Sequence, residues 1–217
     1  MTQRILVINP NSTQAVTDGI DAAMAPLRFA EGPRIDCVTL AEGPPGIETQ
    51  AQVDGVVPPL LDLIGREPAA AYVIACFSDP GLQAARELGA GKVFGISECA
   101  MARALGLGER FGIIAILPAS VARHRRYVRS LGLEARFADS LAIGRGVTAL
   151  AEEGETLEAM IGVGRRLRDE KDAEVLIMGC AGMAGYRDRL EQETGLPVVE
   201  PCQAAAAAAL AAVRLGW

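Results

Sequence analysis

Histidine occurs once in this 217-residue chain, and aromatic residues make up only 4 % of it. Lysine is found only at Lys92 and Lys171. The single histidine, His124, has no partner for the imidazole clusters that hold zinc. It sits among Arg123, Arg125, Arg126 and Arg129, the pattern of a solvated helix face. Neither lysine falls in a predicted ligand-facing loop, which weighs against a Schiff base to pyridoxal phosphate. No Gly-x-Gly-x-x-Gly follows a strand, and Gly89-Ala-Gly-Lys92 lacks the spacing and the Ser or Thr of a phosphate loop. No organic cofactor or metal is implied. The net charge of −6 is the wrong sign for gripping phosphates, so a nucleic-acid partner is not expected. The longest apolar runs, 69–77 and 204–213, fall short of the roughly 20 residues that a membrane span needs. Residues 1–4 lead directly into a strand-like run, with no signal-peptide pattern. Five cysteines, an odd number without a dense framework, read as reduced thiols of a cytoplasmic protein.

What the chain does have is aliphatic bulk. Half of it is apolar, so with few aromatics the core must rest on Ala, Val, Leu and Ile. Short apolar runs at 4–9, 34–40, 71–76, 93–96, 111–117, 134–138, 174–179 and 197–200 predict strands. Between them 12–28, 49–64, 80–89, 98–106, 120–131, 152–170, 183–194 and 202–214 predict helices. Alternation of this kind indicates parallel sheets covered on both faces. Eight strand–helix units also suit a closed barrel of about 250 residues, but the second half of the chain echoes the first. Ile5-Leu-Val-Ile-Asn-Pro-Asn-Ser12 answers to Ile113-Ile-Ala-Ile-Leu-Pro-Ala-Ser120. The expected α/β fold is therefore two pseudo-symmetric lobes, each a four-stranded parallel sheet flanked by helices, with the active site in the cleft between them. The first lobe is placed at 1–97 and the second at 98–201. The Ala-rich tail 202–217 reads as a tightly packed helix crossing back onto the first lobe.

The duplication extends to cysteine. Cys76 closes the run Ala-Tyr-Val-Ile-Ala-Cys, and Cys180 closes Val-Leu-Ile-Met-Gly-Cys. Cys99 and Cys202 follow them by 23 and 22 residues, and Gly81 and Gly185 share one offset. Both Cys76 and Cys180 end strands, where open parallel sheets bind ligands. One thiol on each side of a shared cleft is the layout needed to take a proton from one face of a carbon and return one to the other. A position between strand end and helix start further suggests a lowered thiol pKa. Gly179 and Gly182 allow a close backbone approach, and the amides after them suit an oxyanion or carboxylate. Asn11 is placed to donate to the same group, while Ser12 or Thr13 serves as the helix N-cap. Against this stands the habit of free cysteine as a small core residue, the reading given to Cys37. Cys99 and Cys202 form a second symmetric pair. They rank behind the first because each lies within a helix start and lacks flanking glycines.

Asn9-Pro-Asn-Ser-Thr13, Gly43-Pro-Pro-Gly-Ile-Glu48, Cys76-Phe-Ser-Asp-Pro-Gly81 and Gly179-Cys-Ala-Gly-Met183 together resemble the aspartate/glutamate/hydantoin racemase superfamily. The branch resembled is that of the hydantoin and allantoin racemases, over most of the chain. That resemblance implies two α/β lobes, a cofactor-independent mechanism with two bases, a small-molecule substrate and a homo-oligomer. It makes Cys76 and Cys180 the acid/base thiols, with Asn11, Ser78, Ala181 and Gly182 binding substrate. One departure concerns substrate: Ala115 and Ile116 stand where hydantoin racemases typically carry two threonines, which implies a more apolar pocket. The expected function is racemisation of a carbon alpha to a carbonyl, in a 5-substituted hydantoin or a related amino-acid derivative. The alternatives are a decarboxylase or isomerase of malonate or maleate type, an Asp/Glu racemase, and a non-catalytic binding protein.

Overall fold

The computed structural model describes residues 3–217. Two parallel sheets dominate it. Strands β1 (Arg4–Asn9), β2 (Arg34–Thr39), β3 (Ala71–Ile74) and β4 (Lys92–Gly95) form the first, in the order β2-β1-β3-β4. Strands β5 (Phe111–Ala115), β6 (Phe137–Ala142), β7 (Val175–Met178) and β8 (Val198–Val199) form the second, in the matching order β6-β5-β7-β8. In each sheet the chain leaves its first strand, pairs the next on one side and the third on the other. That reversal opens a crevice at the carboxyl ends of the two central strands. It falls at β1/β3 in one sheet and β5/β7 in the other.

Burial follows the alternation of a strand. Ile5, Val7 and Val73 from one sheet, and Phe111, Ile113, Val175 and Ile177 from the other, share a central core. The intervening Leu6, Ile8, Tyr72 and Ile74 turn outward onto helices α2 (Gln50–Gly55) and α3 (Val57–Arg66), through Val53, Leu60 and Ile64. Ile114, Leu176 and Met178 likewise turn onto α7 (Glu153–Lys171) at Leu157, Met160 and Leu167. Both faces of both sheets are therefore dry, which explains near-continuous apolar strands.

Between the sheets lie α5 (Ile96–Ala104) and α9 (Pro201–Leu215), packed on each other, with α9 also against β1, β3 and β4. The run of alanines on α9 now has a reason. Ala205, Ala206 and Ala209 are fully buried in the central core, where only a methyl group lets backbones approach so closely.

Prolines move several helix ends from their expected places. The helix expected over 12–28 is α1 (Gln14–Ala23), and a 3-10 turn follows at Ala25–Leu27 around Pro26. The one expected over 49–64 is two helices, because Pro58 and Pro59 sit at the start of α3. The strand expected at 134–138 lies later, as β6, behind a 3-10 turn at Glu134–Arg136. The remaining helices are α4 (Leu82–Glu87), α6 (Pro118–Ser130) and α8 (Arg187–Thr194). No helix among the described residues is long and apolar enough to cross a membrane.

Overpacking tests the role of α9. Ala209→Leu should lower unfolding free energy by about 1–3 kcal/mol in urea titrations. Ala207→Leu, on the exposed face of the same helix, should stay within about 0.5 kcal/mol. Equal effects would mean that α9 does not separate the sheets as described.

Candidate active site

The loops after β3 and β7 meet in one small cavity. Asn11, Cys76, Ser78, Cys180, Ala181 and Gly182 all line it, so every residue singled out for chemistry or substrate binding is brought to one place. The other cysteines are not. Cys202 is fully buried on α9, and neither it nor Cys99 on α5 reaches the cavity; Cys37 packs against the central core. All five are free.

Each loop is held by a specific device. Asp79 adopts φ 44°, a left-handed conformation uncommon outside glycine. Its carboxylate accepts from the amides of Ser97 (3.0 Å) and Glu98 (2.9 Å) at the start of α5, and from the Tyr127 hydroxyl (3.0 Å) on α6. Burial outweighs these three donors and lifts Asp79 to about 6. Gly95 must lack a side chain here, since a Cβ would lie 2.3 Å from the Asp79 carboxyl carbon. In the other loop, a Cβ on Gly179 would stand 2.5 Å from the Ile114 carbonyl oxygen. Only glycine can precede Cys180 at this spacing.

The thiols themselves are matched. Cys76 receives the amide of Ser78, and Cys180 the amide of Gly182, each two residues along, and both contacts lower the thiol pKa. Burial is stronger and pushes Cys76 up to about 12 and Cys180 up to about 11. Cys76 is raised further by Cys180 itself and by Asp79, and lowered by Arg123. Cys180 is raised by Glu48. The lowered pKa expected from nearby helix starts is therefore absent. Helix α4 begins six residues beyond Cys76, and a 3-10 turn at Ala181–Tyr186 separates Cys180 from α8.

Asn11 is buried, and its side chain is divided between two tasks. Its Oδ1 accepts from Asn9 Nδ2 (3.0 Å) and the Thr13 amide (2.9 Å), which folds the loop after β1. Its Nδ2 donates to no group among the described residues and is left for a ligand. Thr13 holds the N-cap position of α1, but its hydroxyl donates to the Pro45 carbonyl (2.7 Å) instead of capping the helix.

Two further residues of the cavity, and one beside it, were not assigned to the site from sequence. His124 is buried, not solvated: it lies edge-on to Phe77 at 5.1 Å between ring centres, with Nδ1 2.9 Å from Ser140 Oγ. Burial, aided by the neighbouring Arg123, drops it to about 3 and keeps the imidazole neutral. The signal was periodicity, since Ser120, His124 and Val128 form one buried stripe on α6 while Arg125, Arg126 and Arg129 face out. Arg123 reaches the cavity from the same helix and donates to Ser120 Oγ (3.0 Å), and its Nε is buried with no partner. Glu48 accepts from the Val147 amide (2.7 Å) and so ties a loop of the first lobe to one of the second. Gly46 and Gly146 permit that approach, since a Cβ on either would crowd Val147 or Glu48 within 2.8 Å. Of the departing pair, Ile116 lines the cavity, whereas Ala115 is buried behind it.

The cavity measures about 30 Å³, room for about one water. Ile47 and Val147 help to enclose it.

Comparison with known proteins agrees with this architecture. The family model described as Asp/Glu/Hydantoin racemase matches residues 5–209. The chain is 36% identical over 220 residues to a hydantoin racemase of Paenarthrobacter aurescens, covering 99% of this chain and 92% of that protein. It is similar in structure to an allantoin racemase of Klebsiella pneumoniae, with TM-score 0.91 and 34% identity over 99% of this chain and 89% of the other. Allantoin racemase of Pseudomonas fluorescens gives TM-score 0.93 and 29% identity, over 98% and 92% of the two chains.

Two measurements check the electrostatics. The only imidazole in the chain should show no protonation by NMR between pH 8 and about 5, because its pKa is near 3. A midpoint near 6.5, the ordinary histidine value, would place it in solvent. Glu48→Gln removes the charge that raises Cys180, so iodoacetamide should modify Cys180 faster at pH 8. An unchanged rate, read by peptide mass spectrometry, would detach Glu48 from that thiol.

Proposed function

The chain belongs to the Asp/Glu/hydantoin racemase family, and from that premise we propose that it racemises a small carbon acid, a 5-substituted hydantoin or a related amino-acid derivative. Cys76 and Cys180 are its two acid/base groups, and no cofactor is invoked. The observation that carries the reading is the pair of thiols in one cavity, supplied by equivalent loops and each facing an equivalent amide.

Racemisation requires one thiolate and one thiol on opposite faces of the reacting carbon. Mutual repulsion supplies that division, because ionisation of Cys180 raises Cys76 and the second proton is held far more tightly than the first. The ionised cysteine takes the α-proton, and the protonated one delivers its own to the opposite face. The roles are then exchanged, the arrangement that acts on the other enantiomer, and proton exchange with water restores the first. Negative charge develops on the carbonyl oxygen as the proton leaves. Asn11 Nδ2 is the free donor for it, and the backbone at Ala181 and Gly182 and the Ser78 side chain hold the rest of the ring. A hydantoin suits a thiolate base better than a free amino acid does, since its α-proton is more acidic.

Retention of a cysteine in both loops favours this exchange of protons over a one-thiol decarboxylation. The lobes are taken to divide at residues 97 and 98, with 202–217 belonging to the first. We further take the protein to work in the cytoplasm as a homo-oligomer. Its free thiols fit a reducing compartment, and exposed Phe29, Leu215 and Trp217 offer apolar area for contact between copies.

Solvent-deuterium incorporation at the α-carbon tests the mechanism, read on chiral hydantoins, allantoin, aspartate and glutamate. Cys76→Ala and Cys180→Ala should each cut racemisation by about 10²–10⁴-fold, the usual share of one acid/base group. If either variant interconverts enantiomers at a near wild-type rate, the assignment of two bases is wrong.

A further inference from the structure

Beside the thiol cavity a second pocket of about 260 Å³ opens between the start of α2 and one face of α6. Phe77, Ser78, Arg123 and His124 line both spaces. A ring held between the thiols therefore reaches the second pocket with any substituent directed past these four side chains.

That pocket is one-sided in charge. Arg123 and Arg126 line it, and no aspartate or glutamate does, in a chain whose net charge is −6. Their helix neighbours behave differently: Arg125 pairs with Asp139 and Arg129 with Glu134, as solvated helix arginines do. Among the described residues Arg123 and Arg126 have no carboxylate partner. Arg126 donates only to Gln50 Oε1 (3.0 Å), across the cleft between lobes, and Arg123 only to Ser120 Oγ. The buried Nε of Arg123 has no acceptor at all. Desolvation weakens the hold of Arg123 on its proton, Cys76 partly offsets it, and Arg126 adds its own repulsion. Asp79 is engaged by its three donors, and Asp54 accepts from the Gln50 side-chain amide (2.8 Å). The half-buried Arg123 guanidinium has no carboxylate beside it, which is costly, and an anionic ligand removes that cost, with the exposed Arg126 at the rim of the pocket as a second donor. The pocket on the opposite flank, about 270 Å³ around Val16, Leu150 and Tyr186, offers no cation.

We propose that the substrate is a cyclic ureide whose substituent at the reacting carbon ends in a carboxylate, bound by Arg123 and Arg126. The proposal rests on the racemase reading and narrows it: the ring lies between the thiols, and the acidic arm lies along α6.

Three enantiopure hydantoins separate the possibilities, carrying carboxyethyl, carbamoylethyl or isobutyl groups at C5. The first two differ in charge and hardly in shape. The kcat/KM of the carboxyethyl compound should exceed that of its amide by about tenfold or more, as expected for charge-assisted hydrogen bonds. Arg126→Gln and Arg123→Gln should each bring the ratio toward one. Equal or faster racemisation of the neutral compounds by the wild-type protein, or a ratio unmoved by both variants, overturns the acidic-arm assignment while the racemase reading stands. If no hydantoin is racemised, the racemase reading itself fails, and calorimetry on the same compounds judges the pocket. Tighter binding of the carboxylate, lost in Arg126→Gln, upholds an acidic ligand; equal binding of acid and amide overturns it.

Discussion

Two half-buried thiols that share one small cavity resist being charged at the same time. On that constraint the site depends. Each sulfur is stabilised as an anion by a single amide, from Ser78 or Gly182, and destabilised by burial. Burial therefore favours the protonated form of both thiols, and loss of one proton makes loss of the second harder. The proton affinity of a thiolate in this cavity is also what makes it a strong base once formed. A hydrated thiolate would be easier to generate and weaker in action.

The surroundings serve to keep that cavity small and dry. Three contacts cross between the lobes around it: the Glu48 carboxylate to the Val147 amide, the Tyr127 hydroxyl to Asp79, and Arg126 to Gln50. Two of them come from α6, through Arg126 and Tyr127, and two involve groups that also alter thiol charge. Glu48 raises Cys180 and Asp79 raises Cys76. The contacts that join the lobes therefore include groups that bear on the protonation of the pair.

His124 shows how a residue can shape such a site without titrating in it. Neutral, wedged against Phe77 and bonded to Ser140, it forms apolar wall with one polar edge. Arg123, one position earlier on the helix, is the charged counterpart and lies along both the thiol cavity and the neighbouring pocket. One helix face thus contributes an uncharged wall to the ring site and a cation to its margin.

Much of this was legible without coordinates, for a definite reason. Strand alternation, the echo of 5–12 in 113–120 and the matched Cys76 and Cys180 are local or periodic features, and a duplicated chain advertises them twice. They determined the parallel sheets, the paired lobes and which six residues deserved attention. Tertiary structure alone decided the rest, because it depends on what packs against what. Solvation set the thiols high where helix starts suggested low, and it buried His124 where its arginine neighbours suggested solvent. Glu48 met Val147 across 99 residues of chain, a pairing that no spacing encodes. Side-chain charge can be read from a sequence; the water around that charge cannot, and at this site the loss of water governs the chemistry.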